Sequence, residues 1–117
     1  MIDSRIFAFE THVHFSEEAA TVTEIIQTEN SSIAIWGVKP GQIVQAHSHP
    51  DGQDTWVMLR GTLTYYLGNS QSQTLNAGEI AIAEKNQIHG AVNENSEDAV
   101  FISIYSAPQI GYEKASP

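Results

Sequence analysis

The chain is predicted to be an all-β sandwich or barrel, and three observations lead there. Apolar and polar residues alternate with period two in Ser32–Val38, Thr62–Leu67 and Val100–Tyr105, the pattern of a strand with one face buried. Turn signals fall between short runs, at Lys39-Pro40-Gly41, Pro50-Asp51-Gly52, Gly68-Asn69-Ser70, Asn76-Ala77-Gly78 and Asn93-Glu94-Asn95. Helical periodicity is scarce. Short strands with frequent turns describe a sandwich or a barrel.

Taken in order, the N-terminal residues Met1–Glu10 carry no basic stretch followed by an apolar run, so they do not read as a secretion signal. His12-Val13-His14 follows without a glycine frame and reads as one face of an N-terminal strand. Ser16–Ala20 is expected to form a short helical turn. The β-branched Thr21-Val-Thr23 and Ile25-Ile26 then favour a strand. The segments Gly41–Gly61 and Gly78–Asn93 hold most of the histidines. After Pro108 the chain has few apolar anchors, and the tail is expected to fray.

Composition narrows the function. A length of 117 residues suits a single domain over 1–117 with a real core, and 41% apolar residues is ordinary for a globular protein. Fourteen acidic against five basic residues give a formal charge of −9, which repels nucleic acid and anionic membrane surfaces. No apolar stretch approaches the about 20 residues needed to cross a bilayer. The absence of cysteine excludes disulfides, zinc ribbons and thiol nucleophiles and suits a reducing cytoplasm.

The chemistry concentrates in the histidines. His47 and His49 are two apart on a candidate strand, so their side chains reach one face together. His89, from a neighbouring strand, would complete a cluster of the kind that transition metals favour. The frames around these residues resemble the paired motifs of the cupin superfamily. The first motif is matched by Gly41, five residues, His47-Ser-His49, four residues, Asp54, six residues and Gly61. The second is matched by Gly78, His89 and Asn93 in register, with Glu84 and Asn86 where proline and glycine are usual. Asp54 replaces the usual glutamate and is one methylene shorter. Gln53 stands at the shorter permitted spacing and is the alternative to it. Asp54 is preferred because a carboxylate neutralises charge and the spacing to Gly61 fits. Asn86 suits a turn residue with positive φ.

The resemblance implies an antiparallel jelly-roll or double-stranded β-helix barrel. It implies one divalent transition-metal ion (Fe, Mn, Ni, Co or Zn) on His47, His49, Asp54 and His89. By strand parity Trp56 and Met58 follow Asp54 into the cavity, and Gln45 and Ile43 follow His47, so Trp56, Met58 and Gln45 are expected to meet a small organic ligand. Asn93 is expected to hold a turn. No separate general base stands out, and Glu84 is the one candidate. A metal-dependent enzyme, oxygenase-like or an isomerase or lyase, leads over a non-catalytic small-molecule or sugar-binding module. A homodimer paired through the β-rich first 38 residues is expected, again by resemblance.

Overall fold

The computed structural model describes residues 4–117. A 3-10 turn at Phe9–Thr11 precedes ten strands: β1 (Thr21–Gln27), β2 (Ser32–Val38), β3 (Ile43–Ser48), β4 (Asp54–Arg60), β5 (Thr62–Gly68), β6 (Gln71–Asn76), β7 (Ile80–Ala83), β8 (His89–Val92), β9 (Ala99–Tyr105) and β10 (Glu113–Lys114). They form two antiparallel five-stranded sheets, in the orders β1-β2-β9-β4-β7 and β10-β3-β8-β5-β6. This is the double-stranded β-helix barrel, two sheets facing each other across one core. The Ser16–Ala20 stretch is not helical: residues 17–19 form bends, and the helical turn sits earlier, at Phe9–Thr11. Thr21–Gln27 is the strand its β-branched residues favour.

The core lies between the sheets. Trp56 stacks on Phe101 with ring centroids 3.9 Å apart, and Val38, Val44, Met58, Leu63 and Leu75 pack around them. Alternation along β2, β4 and β9 aims Trp36, Trp56 and Phe101 inward, and Ile33, Val57, Ile102 and Ile104 onto the opposite face. The N-terminal segment crosses one end of that outer face. There the His14 carbonyl sits so close to Gly37 that any Cβ would meet it at 2.2 Å.

Turn chemistry sets the register. Asn69 and Ser70 have φ of 56° and 60°, the paired positive values of a two-residue hairpin loop between β5 and β6. Gly61, at φ +74°, links β4 to β5 where a Cβ would meet the Asp98 carbonyl at 2.6 Å. A bulge in β3 matters most for function. Val44 pairs with Ala91 and His47 with His89, with an irregularity between them. It reverses the side-chain parity of β3, so Val44 points inward at one end and His47 at the other. Gly90 packs against the bulge: a Cβ there would meet the Val44 carbonyl at 2.7 Å and the Ala46 backbone at 2.9 Å.

Candidate metal centre

Three strands deliver four donors to one point. His47 lies on β3, His49 just beyond it, His89 opens β8, and Asp54 opens β4 from the facing sheet. All four are buried, and one donor atom from each lies within 4.8 Å of every other. The His47 and His49 Nε2 atoms are 3.1 Å apart. Asp54 Oδ2 stands 3.0 Å from His89 Nε2 and 3.4 Å from His49 Nε2. Metal–nitrogen bonds of about 2.1 Å put neighbouring ligands about 3.0 Å apart in an octahedron and about 3.4 Å apart in a tetrahedron. These three contacts therefore have the spacing of neighbouring ligands on one ion.

The outer atoms of the donors are all engaged. His47 Nδ1–H donates to the Gln45 carbonyl at 2.6 Å, His49 Nδ1–H to the Gly111 carbonyl at 2.6 Å, and His89 Nδ1–H to the Gln87 carbonyl at 3.0 Å. A carbonyl can only accept, so each ring is fixed in the tautomer whose Nε2 presents a lone pair inward. Asp54 is oriented by two donors, Ser103 Oγ–H to Oδ1 at 2.6 Å and Trp56 Nε1–H to Oδ2 at 3.1 Å. Three imidazole lone pairs and a carboxylate then converge in a buried space. That arrangement calls for a cation, so the residues fit a divalent metal.

Electrostatics within the cluster differ by position. Burial drives the His47 pKa down to about 4, reinforced by the neighbouring imidazoles and outweighing the Gln45 carbonyl bond. Burial also disfavours charge on His49, but the hydrogen bond and charge of Asp54, with the Gly111 carbonyl, outweigh it and raise its pKa. Burial would raise Asp54, yet the His49 and His89 imidazoles beside it and the Ser103 hydroxyl hold its carboxyl well below the usual range. A proton on His49 therefore competes with the metal. As pH falls below its raised pKa, apparent metal affinity is expected to drop about tenfold per unit. His47 adds to that slope only near pH 4. Zinc titration against a chromogenic chelator between pH 8 and 5 reads this directly; a flat profile through pH 6 contradicts it.

Not every residue singled out from the sequence reaches the cluster. Gln45 is exposed, its amide donating to the Ala115 carbonyl at 3.2 Å, and Ile43 is 56% exposed. The β3 bulge is the reason, since parity counted back from His47 fails across it. Gln53 is also exposed, its amide donating to Thr55 Oγ1, while Asp54 turns inward beside it. Trp56 lies in the core against His89, with centroids 5.9 Å apart and its N–H committed to Asp54. Met58 belongs to the apolar core. Glu84 is exposed with Gln53 on an open cleft of about 590 Å³. Asn86 has φ 69° and donates its N–H to the His49 carbonyl. Asn93 is fully buried and ties the β8–β9 turn together, its amide donating to the Val38 and Glu97 carbonyls and its oxygen accepting from Asn95 N–H. The His12–His14 pair stays apart from the cluster, with His12 Nδ1 bonded to the Ala8 carbonyl.

The tail does not fray. Ile110 is buried against Gly52, Gly111 accepts from His49, Tyr112 stacks on His47 with centroids 4.8 Å apart, and β10 pairs with β3. No sequence pattern marked these roles. Ser103 did leave a signal, as a polar residue at an inward position of an alternating strand.

A double-stranded β-helix carrying an inward cluster of three histidines and a carboxylate defines a class of barrel proteins built around a metal-binding centre. Residues 34–105 match the family model for the cupin domain, and the chain belongs to that family. It is similar along nearly its whole length to an uncharacterized conserved protein with a double-stranded β-helix domain from Klebsiella pneumoniae (36% identity, 98% of this chain and 100% of that one, TM-score 0.94). The oxalate decarboxylase of Lactobacillus farciminis, solved as a formate complex, shares the fold at 20% identity (TM-score 0.76, 95% of this chain and 37% of that one). A nitrosourea synthase of Streptomyces achromogenes is 34% identical over 61 residues, which is 52% of this chain but only 12% of that protein. Among the described residues no helix is long and apolar enough to cross a membrane.

Proposed function

We propose that this protein is a metal-dependent enzyme acting on a small organic molecule, with His47, His49, Asp54 and His89 holding one divalent transition-metal ion. One observation carries the reading: four buried donors have their outer atoms already bonded and their free lone pairs turned to a common point. A metal ion bound there would supply Lewis-acid or redox chemistry at the positions the protein leaves open. The protein's own part is positional. The Gln45, Gly111 and Gln87 carbonyls hold each imidazole by its Nδ1 and aim its Nε2, and Ser103 and Trp56 fix the carboxylate. Oxidative chemistry is the favoured reaction class, and isomerase or lyase chemistry comes second. The enzymatic names of the decarboxylase and synthase relatives support catalysis in general. Their substrates are not carried over.

The packing of Tyr112 over His47 and the burial of all four donors favour the second reading, a small-molecule binding module whose metal is structural. Nitric oxide separates the two. The iron(II)-loaded protein is expected to bind it with a new electronic absorption band; a spectrum unchanged by nitric oxide supports the module.

We also propose a homodimer in a cytoplasmic setting. β1 is an edge strand, and the outer face of its sheet carries Ile33, Val57, Ile102 and Ile104 in register, the apolar surface a second copy would cover. Met1–Asp3 of the expected pairing segment lie outside the described residues. Sedimentation at micromolar concentration is expected to return twice the 12.8 kDa chain mass, and a monomer there sinks the dimer.

A further inference from the structure

We propose that the open seam between the sheets, on the β5–β7 side, receives the apolar body of the ligand, with Tyr65 as the residue that positions its oxygen-bearing end. The proposal rests on the metal reading for the site's chemistry and adds the substrate class: a small molecule with an aliphatic or aromatic body and an acceptor oxygen.

The seam exists because, among the described residues, neither edge strand finds a partner there. β6 ends one sheet and β7 ends the other, and no ladder joins them. Two cavities of about 210 and 270 Å³ occupy the gap, and Tyr65, Leu67 and Ile82 line both. None of the four donors lines either cavity, and the larger one approaches the cluster through two of its wall residues. Its wall residue Ala83 is the register partner of Asp54, and its wall residue Ile88 immediately precedes His89. Leu67, Ile80 and Ile82 are 48%, 61% and 56% exposed at the outer end, an apolar mouth.

Tyr65 links the seam to the donors. Its ring packs edge-on against Trp56 at 5.1 Å, and Trp56 in turn holds Asp54. The residue is 5% exposed, yet its hydroxyl has no hydrogen-bond partner among the described residues. Among the described residues every completely buried side-chain nitrogen or oxygen has a partner, so the hydroxyl oxygen keeps some accessible surface, and Tyr65 lines both cavities. Burial and the Asp54 charge push the phenol pKa up, so it stays a proton donor at any physiological pH. The lining otherwise selects by what it lacks. Neither cavity is lined by Lys, Arg or His to hold a phosphate, and Glu79 is the sole charged residue. The apolar wall of Leu67, Ile80, Ile82 and Ile88 faces polar side chains, Gln73 and Thr74 in one cavity and Asn69, Asn86 and Gln87 in the other, which suits a ligand with an apolar body and a neutral polar end.

Straight-chain methyl ketones from butanone to octan-2-one probe the seam, read by methyl ¹³C NMR on metal-free and zinc-loaded protein. Octan-2-one is expected to shift the Leu67, Ile82 and Ile88 methyls in both forms. Affinity should rise about three- to fourfold per added methylene. Tyr65→Phe should weaken every member about fivefold or more without changing that slope, the mark of a lost hydrogen bond rather than a collapsed cavity. Leu67→Arg at the mouth should flatten the slope, and Ile82→Arg serves if that variant misfolds. No shift at these methyls, shifts at Ile33 and Ile104 instead, or a Tyr65→Phe series matching wild type each overturn the proposal. Failure of the metal reading looks different: the zinc-loaded form cannot be prepared, while the seam methyls of the metal-free protein still respond.

Discussion

Wild-type protein is expected to carry about one equivalent of a divalent transition metal per chain, and the His47→Ala, His49→Ala double variant essentially none. Removing two of four donors leaves one imidazole and one carboxylate, too few to compete with buffer and cellular chelators. The loss should exceed that of any single change around the cluster. Ser103→Ala, which only unties Asp54 Oδ1, is expected to lower affinity about ten- to a hundredfold while retaining measurable metal. Elemental analysis of freshly purified samples decides the matter. Iron would direct attention to oxygen consumption, and zinc to isomerase, lyase or structural roles. A double variant with full metal content would place the ion elsewhere and remove the basis of the functional reading.

A chain ending at Pro108 should lose both stability and metal affinity. It would lack Ile110, whose burial against Gly52 is worth about 2–4 kcal/mol on the scale of isoleucine-to-alanine truncations. It would also lack the Gly111 carbonyl that orients His49, the Tyr112 ring over His47, and the β10 pairing with β3. Loss of an outer-shell acceptor of this kind lowers metal affinity about ten- to a hundredfold. Ile110→Ala separates the two effects, because it removes apolar burial and leaves the Gly111 carbonyl in the chain. Thermal unfolding and zinc affinity, measured on both variants, should move together in the truncation. In Ile110→Ala stability should move more than affinity. A truncated chain that melts and binds zinc like the full chain would show the tail to be incidental.

Much of the site was legible from local pattern. Alternation identified the strands, and glycine-framed histidines placed His47, His49 and His89 at one point, because residues two apart on a strand share a face and the frames fix which strands meet. Asp54 was favoured over Gln53 on charge and spacing, and its carboxylate lies with the three imidazoles. Asn86 took positive φ, as its short amide allows. What failed, failed where a local rule depends on distant structure. Parity put Gln45 in the cavity, but the β3 bulge opposite Gly90 turned it out, and a bulge is set by the partner strand. Apolar content near the terminus suggested a loose tail, yet a few residues held it: Ile110 in one socket, Gly111 by one carbonyl and a two-residue strand.

The amino-acid sequence by itself determined the β-class, the shared face of His47 and His49 and the turns, since each depends on residue type and on spacings of a few positions. Only the tertiary structure decided the atoms that fix each imidazole's tautomer, the closing of the site by the tail, and the seam at β7 that leaves Tyr65 facing a cavity. Those features arise between segments up to 62 residues apart, as in the His49–Gly111 bond. Their geometry is settled by how two twisted sheets meet, which no local pattern encodes.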